Sequence, residues 1–192
     1  MRKFLSIGIA ASALLSAAPA VGEVPPPPDI TVQWFQPVAS WPDPLVIGVC
    51  PLGDWSGLDV TMRSGYGLPM AGYQVFLYFQ DQRVCPATIS GITDMNGYVR
   101  IVIRSGLKSS AAATRATSSY TVTTMGCTVG SGTVSIVSPD YNCNPTVDAL
   151  DFSFFSLDWP PAAYAARSDF NDDGVIDALD FSLFALHWLH AN

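Results

Sequence analysis

The last quarter of this 192-residue chain is written twice. Residues 147–159, VDALDFSFFSLDW, return 29 positions later as residues 176–188, IDALDFSLFALHW. A unit this short cannot bury an apolar face by itself, so two copies predict a paired module in which each covers the other. The charge is concentrated in the same place. Residues 139–192 hold nine aspartates against the single Arg167, a net of −8, whereas residues 21–138 hold seven acids and six bases, a net of −1. Self-repulsion on that scale asks for a counter-charge, and a cation is the natural one.

The spacing of the aspartates says which cation. Residues 169–180 read DFNDDGVIDALD, a twelve-residue loop with side-chain oxygens at its first, third, fifth, ninth and twelfth places: Asp169, Asn171, Asp173, Asp177 and Asp180. Gly174 stands at the sixth place and the backbone carbonyl of Val175 serves the seventh. That alternation is the one that wraps oxygens around Ca²⁺. Residues 140–151, DYNCNPTVDALD, keep oxygen at the same five places with Asp140, Asn142, Asn144, Asp148 and Asp151, and put Thr146 at the seventh. In this loop Asn144 replaces a charged ligand, Cys143 intrudes, and Pro145 occupies the place where glycine supplies a positive φ that proline cannot adopt. Two calcium sites are expected, the second stronger than the first.

Duplicated loops of this kind, each followed by one helix and closing on Asp, resemble a type I dockerin over roughly residues 139–190. The resemblance implies two antiparallel helices held by two Ca²⁺ ions, and a cohesin partner on an extracellular scaffold that assembles polysaccharide-degrading enzymes. Its partner-binding places, the tenth and eleventh of each loop, fall on Ala149, Leu150, Ala178 and Leu179, where the family carries small hydroxylated pairs. Leu150, Phe154 and Leu157 form one apolar stripe of the first helix, and Phe152, Phe155 and Trp159 form another, which leaves little polar face. One side is expected to pack on the repeat helix through Leu179, Leu183 and Leu186, and the other to meet either the body of the protein, which the short joint favours, or an outside partner.

That body reads differently. Apolar residues make up 49% of the chain and charged ones only 13%, a composition that folds rather than stays disordered. The net charge of −7 argues against nucleic acid as a partner. Residues 30–138 show short β-like runs broken by Gly, Pro, Asn and Asp, and predict about seven strands in a β-sandwich. The runs are 30–34, 45–49, 58–62, 73–79, 99–103, 120–122 and 134–136, with hairpin-type turn chemistry at 94–97. Segments 68–75, LPMAGYQV, and 93–99, TDMNGYV, resemble bacterial immunoglobulin-like domains of the invasin type. The expected fold class is therefore a mainly β, immunoglobulin-like sandwich over 30–138 plus a small α-helical, EF-hand-like module over 139–192.

At the start, Arg2 and Lys3 precede an apolar run over 4–15 that ends at Ala18-Pro19-Ala20, the pattern of a secretory signal peptide cleaved after Ala20. The run is too short to span a bilayer. Residues 21–29, with four consecutive prolines at 25–28, read as an extended linker. Export permits disulfides, so Cys50, Cys85, Cys127 and Cys143 are expected to form two bridges in any of three connectivities, or to stand as free buried thiols.

Catalysis finds little to work with: the only histidines are His187 and His190, and the only glutamate is Glu23. The expected function is that of an exported, non-catalytic calcium-binding protein, secreted or at the cell surface, that serves attachment. The alternative is an accessory subunit of a polysaccharide-degrading assembly, docked to a cohesin-like receptor and holding glycan on Trp34, Trp41 or Trp55.

Overall fold

The computed structural model describes residues 26–35, 45–47, 57–103, 106–108, 115–144 and 146–189. The expected signal peptide and its cleavage site lie outside them, as do Trp41, Cys50, Trp55, Pro145 and His190. Among the described residues ten strands precede two helices: β1 (Asp29–Phe35), β2 (Leu45–Ile47), β3 (Gly57–Arg63), β4 (Gln74–Phe79), β5 (Val84–Cys85), β6 (Thr88–Ile92), β7 (Tyr98–Val102), β8 (Gly106–Leu107), β9 (Ala116–Thr124), β10 (Cys127–Val137), α1 (Ala149–Asp158) and α2 (Ala178–Leu186). The protein is mainly β, as expected.

One antiparallel sheet has the order β1-β3-β7, and a second the order β2-β10-β9-β4-β6, in which β2 alone runs parallel to its neighbour. Alternation puts Leu58, Val60 and Met62 of β3 and Val99 and Ile101 of β7 on one face, opposite Val75, Leu77 and Phe79 of β4, Val122 of β9 and Val134 and Ile136 of β10. All are buried in one core, so the two sheets pack face to face. The outer face of β3 and β7 carries Asp59 opposite Arg100, joined at 2.8 Å. The Arg100 guanidinium holds the Asp59 carboxyl below the usual carboxylate range.

Residues 94–97 do form the expected turn. Asp94 Oδ1 accepts the N–H groups of Asn96 and Tyr98, and Gly97 takes a φ of +73° where a Cβ would lie 2.3 Å from the Met62 carbonyl oxygen. It does not close a hairpin, however: β6 pairs with β4 and β7 with β3, so the turn carries the chain from one sheet to the other. Trp34 is likewise not an exposed platform. It meets Tyr120 edge-on at 5.0 Å and packs against the core between the sheets.

The helices begin where the repeat says they should. Asp148 caps α1 and Asp177 caps α2, each accepting an N–H of the first turn, while Asp151 and Asp180 reach back to complete a capping box. The buried centre of the pair is Phe155 against Phe184, 5.2 Å apart and stacked. Around it the aromatic contacts come in matched pairs offset by the repeat: Phe152–Trp188 at 6.1 Å with Trp159–Phe181 at 6.3 Å, and Phe152–Phe184 at 6.0 Å with Phe155–Phe181 at 6.2 Å. The pairing of the helices is thus a local two-fold. The leucines depart from expectation. Leu183 is half-buried, whereas Leu150, Leu157, Leu179 and Leu186 stay exposed, because the aromatic rings fill the seam and push the leucines to its rim.

Candidate functional site

In both halves of the tail the chain from the first to the twelfth loop place curls around its own carboxylates. Asp140 Oδ1 accepts the N–H groups of Asn142 (3.3 Å) and Cys143 (2.7 Å), Asn142 Oδ1 that of Asn144 (2.7 Å), and Asn144 Oδ1 that of Thr146 (3.0 Å). The second loop repeats the scheme: Asp169 Oδ1 accepts from Asp173 (3.2 Å), Asn171 Oδ1 also from Asp173 (3.2 Å), and Asp173 Oδ1 from Val175 (2.9 Å). Alternate residues turn their oxygens inward because each short Asx side chain bonds the N–H two or more places on.

The twelfth place closes each loop. Asp151 Oδ1 accepts from Tyr141 N–H at 2.8 Å and its Oδ2 from Asp148 N–H at 2.9 Å; Asp180 does the same with Phe170 at 2.7 Å and Asp177 at 2.9 Å. The helix cap and the loop closure are therefore one device. The eighth-place residues Val147 and Ile176 are buried in the core shared by the two halves.

These carboxylates are costly to ionise where they stand. Burial pushes Asp151 up to about 6, with Asp140 and Asp148 adding like charge, and burial also raises Asp140 and Asp180. Asp140 Oδ2 is buried with no hydrogen-bond partner. A buried carboxylate oxygen without a donor is relieved by a proton or by a cation beside it, and the hard oxygen set around it is the kind that Ca²⁺ prefers. Among the described residues, no three His, Cys, Asp or Glu side chains converge as they stand. A calcium shell at this spacing also draws on Asn, backbone and water oxygens.

The two loops differ at their first-place carboxylates. Asp169 has both oxygens engaged, Oδ2 accepting from Gly174 N–H at 3.0 Å and from Tyr164 Oη at 2.6 Å. Gly174 has a φ of +86°, and it is this left-handed turn that brings its N–H back to the first place.

Both loops lean on the sandwich, in part through Gly106, Leu107 and Arg115, which sequence reasoning did not single out. Cys143 is bonded to Cys85 of β5, which selects one of the open disulfide connectivities, and the Leu107 N–H of β8 donates to the Asp140 carbonyl at 2.9 Å. A Cβ at Gly106 would fall 2.3 Å from Asp140 Oδ2, so β8 can cross the loop here only as glycine. On the other side Arg115, just before β9, pairs with Asp172 and donates to the Asp169 carbonyl at 2.7 Å and the Ala166 carbonyl at 3.1 Å. The expected second bridge is not made by Cys127, which is exposed and free. It opens β10, an eleven-residue strand whose other end leads to loop one, and a strand of that length holds it about 30 Å away.

The partner-binding candidates Ala149, Leu150, Ala178 and Leu179 are all exposed, at the first turns of α1 and α2. Beside them the aromatic seam opens into two apolar hollows of about 340 and 300 Å³, the first lined by Phe152, Phe155, Trp159 and Phe181, the second by Phe152, Phe181, Phe184 and Trp188. The described part of the sandwich leaves this face exposed, contrary to the favoured expectation that it would cover it: Phe152, Trp159, Phe181 and Trp188 are each 37–44% exposed, and the described contacts of the sandwich fall on the loops. His187 is buried in the tail near Pro139, Phe170, Leu183 and Phe184. No described helix is long and apolar enough to cross a membrane. No protein-family model matches the chain, and no curated protein matches it.

Proposed function

We propose that residues 139–192 are a dockerin-like module that binds two Ca²⁺ ions and attaches an exported, non-catalytic protein, with an immunoglobulin-like sandwich as its body, to a protein outside the cell. The observation that carries this reading is the pair of loops, 29 residues apart, that turn the same oxygens inward and bury the first- and twelfth-place carboxylates, with one oxygen of Asp140 left without a donor. Asp140, Asn142, Asn144 and Asp151, with the Thr146 carbonyl, would hold one ion. Asp169, Asn171, Asp173 and Asp180, with the Val175 carbonyl, would hold the other, and Asp148 and Asp177 sit at the ninth places where a bridging water is usual. Calcium supplies charge neutralisation there, and the protein supplies the oxygens and the closure.

The exposed aromatic face supports docking to a partner. Leu150 and Leu179 are each 53% exposed at equivalent places on the same two helices that line the hollows. A cohesin-like receptor in a polysaccharide-degrading assembly is the second reading, favoured by the position of these four residues on the first helical turns. Calorimetric titration of the full chain with Ca²⁺ tests the proposal. Two sites are expected, the tighter lost in Asp169→Ala plus Asp180→Ala and the weaker in Asp140→Ala; absence of binding up to millimolar Ca²⁺ would overturn it. Pull-down on immobilised cohesin, with and without chelator, separates the two partner readings.

A further inference from the structure

The two contacts that fasten the tail to the sandwich arise from the same position of the repeat. Cys143 and Asp172 are each the fourth residue of their loop, 29 apart, and both lie in the left-handed backbone region, with φ of +61° and +59°. A side chain disfavours that region, so the loop must be held there by its neighbours. The conformation also turns the fourth side chain out of the row of inward oxygens at places one, three and five. Cys143 spends this exit on a disulfide to Cys85, and Asp172 spends it on an ion pair with Arg115.

From this arrangement we propose that the fourth place of each loop couples calcium occupancy to the stability of the sandwich, covalently at the first site and ionically at the second. The inference rests on the calcium reading above and adds a second role for the ions: they brace the β-domain as well as stabilising the helical pair.

The chemistry of each contact fits a positioning role. Arg115 lies 3.3 Å from Asp169 Oδ2, the oxygen already engaged by Gly174 N–H and Tyr164 Oη, and it also donates to the Asp169 carbonyl. It thereby fixes the rotation of the first-place carboxylate from outside and leaves Oδ1 facing the loop, bonded to Asp173 N–H at 3.2 Å. Arg115 directly precedes β9, which pairs with both β10 and β4 in the middle of the larger sheet. On the other side the Asp140 carbonyl accepts from Leu107 and the Asp140 carboxylate packs on Gly106, so β5 and β8 clamp the first place of loop one while the disulfide fixes its fourth. An ion that orders either loop therefore orders the strand end that touches it.

Peptide-resolved hydrogen exchange of the full chain, run with and without Ca²⁺ beside a calorimetric titration of the same samples, tests the coupling. In the wild type, peptides covering β9 and the β5 and β8 ribbon should exchange about tenfold more slowly with Ca²⁺ bound. Asp172→Asn, which removes no ligand, should erase that gain at β9 and weaken the tighter site severalfold. Cys85→Ser with Cys143→Ser should do the same at the ribbon and the weaker site, and should that variant not fold, the Asp172→Asn arm decides alone. If the wild type binds two ions while sandwich exchange is unchanged, the coupling is overturned and the calcium reading stands. If it binds none, both fall together.

Discussion

Replacing Phe155 with Ala removes the ring at the centre of the tail. Phe155 is 1% exposed, stacked on Phe184 at 5.2 Å and on Phe170 at 6.0 Å, and tilted against Trp159 at 5.6 Å. Truncating a buried phenylalanine costs about 3–5 kcal/mol. A module of this size draws only about 3–5 kcal/mol from its core, so the variant tail should sit near zero stability without metal. Calcium changes that by mass action. Restoring about 4 kcal/mol through two sites requires about 2 kcal/mol from each, which a free ion concentration about 30-fold above the dissociation constants supplies. Phe155→Ala should therefore lose its helix signal in chelator and recover it in excess Ca²⁺, followed by far-UV dichroism and by the near-UV bands of Trp159 and Trp188. Phe152→Ala, at a ring already 40% exposed, should lose less than half as much. The reasoning fails if Phe155→Ala is as helical as the wild type in chelator, or if saturating calcium restores nothing.

Three smaller changes follow from the same structure. Arg167 lies over the Tyr141 ring and is buried against Asp158 at 2.7 and 2.8 Å; Arg167→Met strands that carboxylate and should lower stability by about 3–5 kcal/mol in thermal melts, most of it recovered by adding Asp158→Leu. Burial raises Asp151 to about 6, above its unfolded value near 4, so the metal-free tail should lose stability as pH rises from about 4 to 6 and stay level above that, while Ca²⁺ affinity, which needs the carboxylate ionised, should fall as pH drops below about 6; calorimetry at pH 5 and 7 checks the second half. Cys127 should take one equivalent of a thiol reagent in native buffer, whereas Cys85 and Cys143 should react only after reduction.

What could be read in advance was what is local. The two twelve-residue turns are legible because their Asx residues recur at fixed spacing, and the caps at Asp148 and Asp177 follow from the same letters. Core strands such as β3 and β4 announce themselves by alternation. The long β9–β10 hairpin does not, since its Ser-, Thr- and Gly-rich stretch carries an apolar stripe only near Val122, Val134 and Ile136. β5 and β8, two residues each, are too short to carry any period. Arg115 was beyond reach for another reason: its partner Asp172 is 57 residues away, and nothing in a lone arginine after a run of alanines marks it as the contact to a loop. Cys143 was visible as an intruder in loop one, but its partner was not.

The repeat is most informative where its copies disagree, and Asp158 against His187 is the sharpest case. Both stand at the end of their helix, 29 apart, and both are buried. Asp158 is matched by Arg167 and by Ser168 Oγ at 2.5 Å, itself bonded to Tyr141 Oη at 2.7 Å, so its charge lies within a complete polar network. His187 is buried beside Pro139, Phe170, Leu183 and Phe184. His187→Asp would put a carboxyl in a place only 2% exposed. Desolvation opposes its ionisation, so its folded pKa should be raised and its cost should appear as pH climbs from the unfolded value near 4 through the folded one. At pH 8 the variant should melt below the wild type by an amount reflecting about 2–4 kcal/mol, and at pH 4, with the new carboxyl protonated, most of the difference should vanish. Equal melting of the two proteins at pH 8 would mean that the site tolerates a carboxylate and that desolvation does not set its cost.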